Sequence, residues 1–115
     1  MPGRFVILHH DAPDGEHWDL MLERGEILLT WQLAREPVGP ASLPIPATRI
    51  ADHRKAYLDY EGPVSQNRGH VRRADAGTVE FEDSGPDRFA ISLRGGCLTG
   101  RFHLPADGTG LLELA

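Results

Sequence analysis

Seven short stretches of apolar or alternating residues, none longer than eight, are cut apart by Gly, Pro and Asp, and this punctuation restricts the chain to short strands. They run over Phe5 to His9, His17 to Glu23, Ile27 to Leu33, Gly77 to Phe81, Arg88 to Leu93, Cys97 to Leu104 and Leu111 to Leu114. Arg24-Gly25, Arg94-Gly95-Gly96 and Ala106-Asp107-Gly108 supply turn residues that accept positive φ or break a ladder. The reading is all-β: a small closed or partly closed β-barrel of about seven or eight mostly antiparallel strands, with long loops and one short helical turn. Pro37, Pro40, Pro44 and Pro46 exclude a regular helix or a central strand between Ala34 and Ala47, which is expected to be an ordered surface loop. Thr48 to Tyr60 is the place for the helical turn, and Ser65 to Ala76, polar and basic, is expected to be a mobile loop.

At 115 residues the chain fits a single domain spanning 1–115, with no repeat or composition shift dividing it. One cysteine, Cys97, cannot form an intramolecular disulfide, and no cysteine cluster suggests zinc. The N-terminus lacks the apolar core of a signal peptide and no apolar run approaches a membrane span, so a soluble, reducing, cytoplasmic setting is the expectation. A formal charge of −5 argues against a protein that grips long duplex nucleic acid through a broad basic surface, because such affinity comes mainly from phosphate neutralisation. It leaves room for a small basic pocket around one phosphate end.

The chemistry concentrates between Phe5 and Glu23. Residues 17 and 19 are two apart, so on a strand His17 and Asp19 leave one face while Trp18 and Leu20 leave the other. His10 ends the preceding apolar run, and Asp11 to Glu16 is rich in turn formers that fold the two runs into a hairpin with His10 opposite His17. Two imidazoles and a carboxylate suit manganese, iron or zinc and leave coordination positions open. Taken alone, a histidine and an aspartate two apart are more often a solvated face, and it is His10 upstream that makes a ligand set. His9 points to the other side of the strand and is read as structural or exposed.

Four stretches in order resemble a known family: Phe5-Val6-Ile7-Leu8-His9-His10, His17-Trp18-Asp19-Leu20-Met21-Leu22-Glu23, Leu29-Thr30-Trp31, and Asp52-His53-Arg54-Lys55-Ala56-Tyr57-Leu58-Asp59-Tyr60-Glu61-Gly62. Together they are similar to the 3′-phosphoesterase domain of bacterial DNA ligase D and its stand-alone relatives, and the likeness covers nearly the whole chain. The resemblance implies a small β-barrel that removes 3′-terminal phosphates or ribonucleosides from DNA ends during repair. Manganese is the implied metal, with zinc or cobalt as other divalent options. It further implies a DNA or DNA/RNA 3′ end as substrate, a ligase or other end-joining protein as partner, and no membrane. Carried over by position, His10, His17 and Asp19 match the metal ligands, His53 the catalytic histidine that contacts phosphate, and Tyr57 the active-site tyrosine.

Met21 stands where the family carries an arginine two residues after the aspartate, and methionine cannot offer a phosphate a fork of donors. Arg49, Arg54 and Arg35 are the candidate replacements for phosphate binding. Arg68, Arg72 and Arg73 form the densest basic cluster and are candidates for nucleic-acid contact, although the simplest reading is a solvated loop. His53 would have its tautomer fixed by Asp52 or by the backbone, and a helical turn would bring Tyr57, four residues on, to the same face. Three classes follow: a metal-dependent phosphoesterase acting on 3′ ends, a non-catalytic or weakly active module that grips a phosphate end, and a structural domain related by descent whose histidines bind nothing tightly.

Overall fold

A computed structural model describes residues 2–82 and 85–115. Among the described residues, nine strands form one antiparallel sheet: β1 (Gly3–Ala12), β2 (Gly15–Arg24), β3 (Ile27–Leu33), β4 (Ile45–Arg54), β5 (Gly62–Pro63), β6 (His70–Phe81), β7 (Arg88–Gly95), β8 (Thr99–Pro105) and β9 (Thr109–Leu114). The order is β1-β2-β3-β4-β9-β8-β7-β6-β5, and β1 also pairs with β6, so eight strands close into a barrel while β5 extends one end of β6. Closure removes the exposed edges that an open sheet would leave. No helix among the described residues is long and apolar enough to cross a membrane.

The β1–β2 hairpin forms as the sequence predicts. Ala12 pairs with Gly15 across Pro13-Asp14, and that register sets His10 opposite His17 and Leu8 opposite Asp19. Alternation then divides the wall into two faces. Phe5, Ile7, Leu20, Leu22, Trp31, Leu33, Ile45, Val79, Ile91 and Phe102 pack inside the barrel. A smaller apolar layer of Val6, Leu8, Met21, Leu28, Leu58 and Val71 lies on the outer wall of β1, β2, β3 and β6. Trp31 is fully buried, donates from Nε1 to the Pro105 carbonyl at 2.8 Å, and carries the Arg49 guanidinium 4.9 Å from its ring. Trp31→Ala should therefore cost about 3–5 kcal/mol through the cavity it leaves. Urea unfolding checks this, as a midpoint shift at unchanged slope.

The helical turn expected within Thr48 to Tyr60 is present as a 3-10 turn at Lys55–Leu58, preceded by strand up to Arg54. Two other expectations about elements need correction. The proline-rich loop ends earlier than predicted, because Pro46 is accommodated in β4. It lies past the last β3 pair, where its carbonyl accepts from the Ala34 amide and no proline N–H is needed. Ser65 to Ala76 is not one loop, since β6 begins at His70. That strand escapes a period-two reading for two physical reasons. A bulge shifts its register against β1 between Ile7 and Leu8, and its inward Asp75 is a buried carboxylate held by the amides of Ala76, Gly96, Cys97 and Leu98.

Candidate active site

His10, His17 and Asp19 leave the outer face of β1 and β2, beyond the apolar layer of Val6, Leu8 and Met21. One donor atom from each lies within 4.8 Å of the other two. His10 Nδ1 is 3.2 Å from His17 Nε2 and 3.7 Å from Asp19 Oδ2, and His17 Nε2 is 3.2 Å from Asp19 Oδ1. The opposite nitrogen of His10, Nε2, stands 2.6 Å from the Arg68 carbonyl. A carbonyl only accepts, so Nε2 carries the proton and Nδ1 presents a lone pair to the cluster. Gln32, opposite Asp19 on β3, reaches 3.4 Å from His17 Nε2.

The trio fits a divalent metal on its own geometry. Asp19 is almost wholly buried, and its Oδ1 has no hydrogen-bond partner among the described residues; the nearby His17 nitrogen is in electrostatic contact without hydrogen-bond alignment. A buried carboxylate oxygen left in this state is costly unless a cation completes it. The polar contact with Asp19 holds His17 above the pKa of an ordinary imidazole, against the desolvation that lowers it.

A cover segment closes over the cluster. Lys55 pairs with Glu23 at 2.9 Å, Arg4 with Asp59 at 2.7 Å, and Arg73 donates to the Leu58 carbonyl at 3.0 Å, so three cations tie residues 55–59 to the barrel. Lys55, with the Arg4 amide behind it, keeps the Glu23 carboxyl below its usual range. Between cover and wall lies a cavity of about 100 Å³, lined by His10, Asp19, Met21, His53, Tyr57 and Arg68 together with Val64 and Val71.

His53, near the end of β4, hydrogen-bonds through Nδ1 to the Ala51 carbonyl at 2.9 Å, so the backbone sets its tautomer and Nε2 is left as the free nitrogen. Asp52 does not take that role, because it pairs with Arg49 at 3.1 Å. Tyr57 meets His53 edge to face, with ring centroids 5.5 Å apart, through the strand end and the 3-10 turn and not through a shared helical face.

The candidate cations separate. Arg49 projects toward Trp31, donates to the Ala106 carbonyl at 3.0 Å, and does not line the cavity. Arg35 donates to the carbonyls of Ser42 and Pro44 and so holds its own loop together. Arg54 borders a neighbouring groove. Arg72 lies beside His9 at the far side of β1, where His9 contacts Glu16 at 2.7 Å and the Trp18 ring. Arg73 is engaged with the cover as described. Of the six arginines proposed from the sequence, only Arg68 lines the cavity.

Arg68 is also held in place. Its guanidinium donates to the Ser65 carbonyl at 2.9 Å and to Ser65 Oγ at 3.1 Å. Gln66 and Asn67 adopt left-handed φ of 63° and 56°, and Gly69 has φ 92°. A Cβ on Gly69 would fall 1.9 Å from the Asp11 carbonyl oxygen, so the loop is wedged against β1. Ser65 and Gln32 are the positions the sequence reading missed. Alternation from Thr30 could have flagged Gln32, and the Asn67-Arg68-Gly69 turn signal could have flagged the Ser65–Arg68 contact.

Fold and site together define a closed antiparallel barrel carrying a His-His-Asp donor cluster on its outer wall. The family profile described as the DNA ligase D 3′-phosphoesterase domain matches residues 8–105, and the chain belongs to that family. It is 30% identical over 107 residues to the multifunctional non-homologous end joining DNA repair protein LigD of Mycobacterium tuberculosis, covering 87% of this chain and 14% of that protein. The multifunctional non-homologous end joining protein LigD of Pseudomonas aeruginosa is 29% identical over 114 residues, which is 88% of this chain and 13% of the relative. The chain thus spans about a seventh of the length of these relatives.

Proposed function

We propose that this chain is a metal-dependent phosphoesterase that removes a terminal phosphate or ribonucleoside from the 3′ end of a DNA strand, in the healing of ends before joining. The observation that carries the reading is the meeting of His10, Asp19, His53, Tyr57 and Arg68 around one small cavity, with His17 completing the donor cluster beside it. The names of the relatives, which are end-joining proteins, support DNA ends as the substrate class. A ligase or another end-joining protein is the expected partner, and residues 1–115 are treated as a single domain.

His10 Nδ1, His17 Nε2 and the Asp19 carboxylate would hold the metal, manganese first, with zinc or cobalt as alternatives. The chemistry such an ion supplies when bound is polarisation of a phosphoryl oxygen and a lowered pKa for water. The rest falls to side chains that position and neutralise. His53, with Nδ1 committed to Ala51, presents Nε2 to donate to the phosphate when protonated or to accept a proton when neutral. Tyr57 offers its hydroxyl as a donor, with its ring steadied against His53. Arg68 supplies the cation that Met21 cannot, because among the described residues its guanidinium pairs with no carboxylate and Ser65 orients it.

A second reading rests on Met21, which is fully buried in the apolar layer. With no cation on that strand, the site would bind a 3′-phosphate end without turning it over. The experiment is manganese-dependent release of a 3′-terminal phosphate from a labelled primer–template by the wild type and by His10→Ala. Release that disappears in the variant supports the enzyme. No release by either, with metal-dependent end binding retained by the wild type, identifies the binding module.

A further inference from the structure

Beside the cavity, and sharing Tyr57 and Val64 with it, runs an open groove of about 240 Å³. It is lined by Tyr57, Tyr60, Pro63, Val64 and Ser65, with Arg54 and Ala56 on its lining as well. The lining carries one cation and no acid, in a chain whose formal charge is −5. Tyr60 is more exposed than a packing aromatic needs to be, yet it is fixed at both ends. Its ring meets Tyr57 edge to face at 5.8 Å, and its hydroxyl donates to the Pro63 carbonyl. An exposed aromatic ring whose orientation is already set offers a stacking surface at little entropic cost.

We infer that this groove is the subsite for the 3′-terminal nucleoside, whose base stacks on Tyr60 while its 3′-phosphate enters the adjoining cavity. The inference rests on the proposed function for the phosphate and adds the partner chemistry of the groove. Continuity selects the occupant. A phosphate between His53, Tyr57 and Arg68 leaves its sugar at Tyr57 and Val64, and the next space along is the groove. Ser65 joins the two compartments, because it lines the groove and orients Arg68 in the cavity. Arg54 then stands where the next phosphate of the strand would pass. Stacking reads no particular base, so the subsite favours any base over none.

The test is fluorescence anisotropy of the manganese-loaded chain with four labelled single strands. The terminal residue carries a base or is abasic, and its 3′ group is a hydroxyl or a methylene phosphonate that resists hydrolysis. The expected result is tighter binding with the phosphonate and, independently, roughly tenfold or more tighter binding with a base. Tyr60→Ala should remove the base dependence and keep the phosphonate dependence, and Tyr60→Phe should keep both. Phosphonate dependence without base dependence in the wild type overturns the groove and leaves the phosphoesterase reading standing. Base dependence without phosphonate dependence supports the groove and defeats that reading. Absence of both overturns both, and base dependence that survives Tyr60→Ala overturns the Tyr60 platform. The wild-type arms decide the matter even if Tyr60→Ala does not fold.

Discussion

Asp19→Ala is expected to abolish tight manganese binding in calorimetry, as are His10→Ala and His17→Ala, while His9→Ala leaves it intact. The contrast follows from alternation on β1 and β2, which turns His9 toward Trp18 and its three counterparts toward one another. A metal that binds only the folded chain stabilises it by about 2.7 kcal/mol at a hundredfold excess over Kd, which for a domain of this size raises the melting midpoint by on the order of 10 °C. Asp19→Ala should lose that shift, yet melt no lower than the metal-free wild type, because it removes a buried carboxylate with an unpartnered oxygen. Loss of metal binding in His9→Ala as well would defeat the assignment by strand face. Affinity should also fall as pH is lowered, since the metal must displace a proton from His17. The Asp19 contact raises the pKa of that group, so the loss begins at a higher pH than for an unperturbed histidine.

Arg68→Ala should reduce turnover of a 3′-phosphate end by about 10² to 10³, the usual cost of deleting one donor aimed at developing charge. Manganese binding should persist, because the backbone carbonyl that receives His10 Nε2 remains. Met21→Arg alone should give no gain, since Arg68 already serves the cavity, and should lower stability by forcing a cation among Val6, Leu8 and Leu28. In the Arg68→Ala background the same change should restore part of the lost activity, because residues 21 and 68 line one cavity. Wild-type turnover in Arg68→Ala, measured by phosphate release at saturating manganese, would return the role to another cation.

The approach of His10, His17 and Asp19 is legible in the sequence because it needs only local information: a period of two on each strand and a hairpin between them. The same holds for the barrel class, which follows from many short strands and their turn residues. What escaped depended on partners distant in sequence. Asp75 reads as a loop residue until the amides of the Gly95–Leu98 turn surround it, and the first half of β6 is hidden with it. Choosing among the arginines failed for a related reason. Arg49 has motif support near His53, yet Trp31 and the Ala106 carbonyl claim its guanidinium, and both are set by the barrel's closure. In the sequence Arg68 stands out only as part of a charge cluster. Its position depends on left-handed backbone at Gln66, Asn67 and Gly69, on either side of it, and on the tight approach of Gly69 to Asp11.

The division of each wall strand between two faces has a consequence for how this chain can change. On β1 and β2 the interior core and the donor cluster occupy alternate positions of the same ten-residue strands. Substitutions can therefore explore one face while the other stays untouched, so chemistry and folding are separable residue by residue. Length is a different matter. Deleting one residue between Phe5 and His10 would exchange the two faces downstream, turning His10 away from the pocket and putting Asp11 in its place. A chain of this design tolerates rewriting far better than it tolerates editing of its spacing.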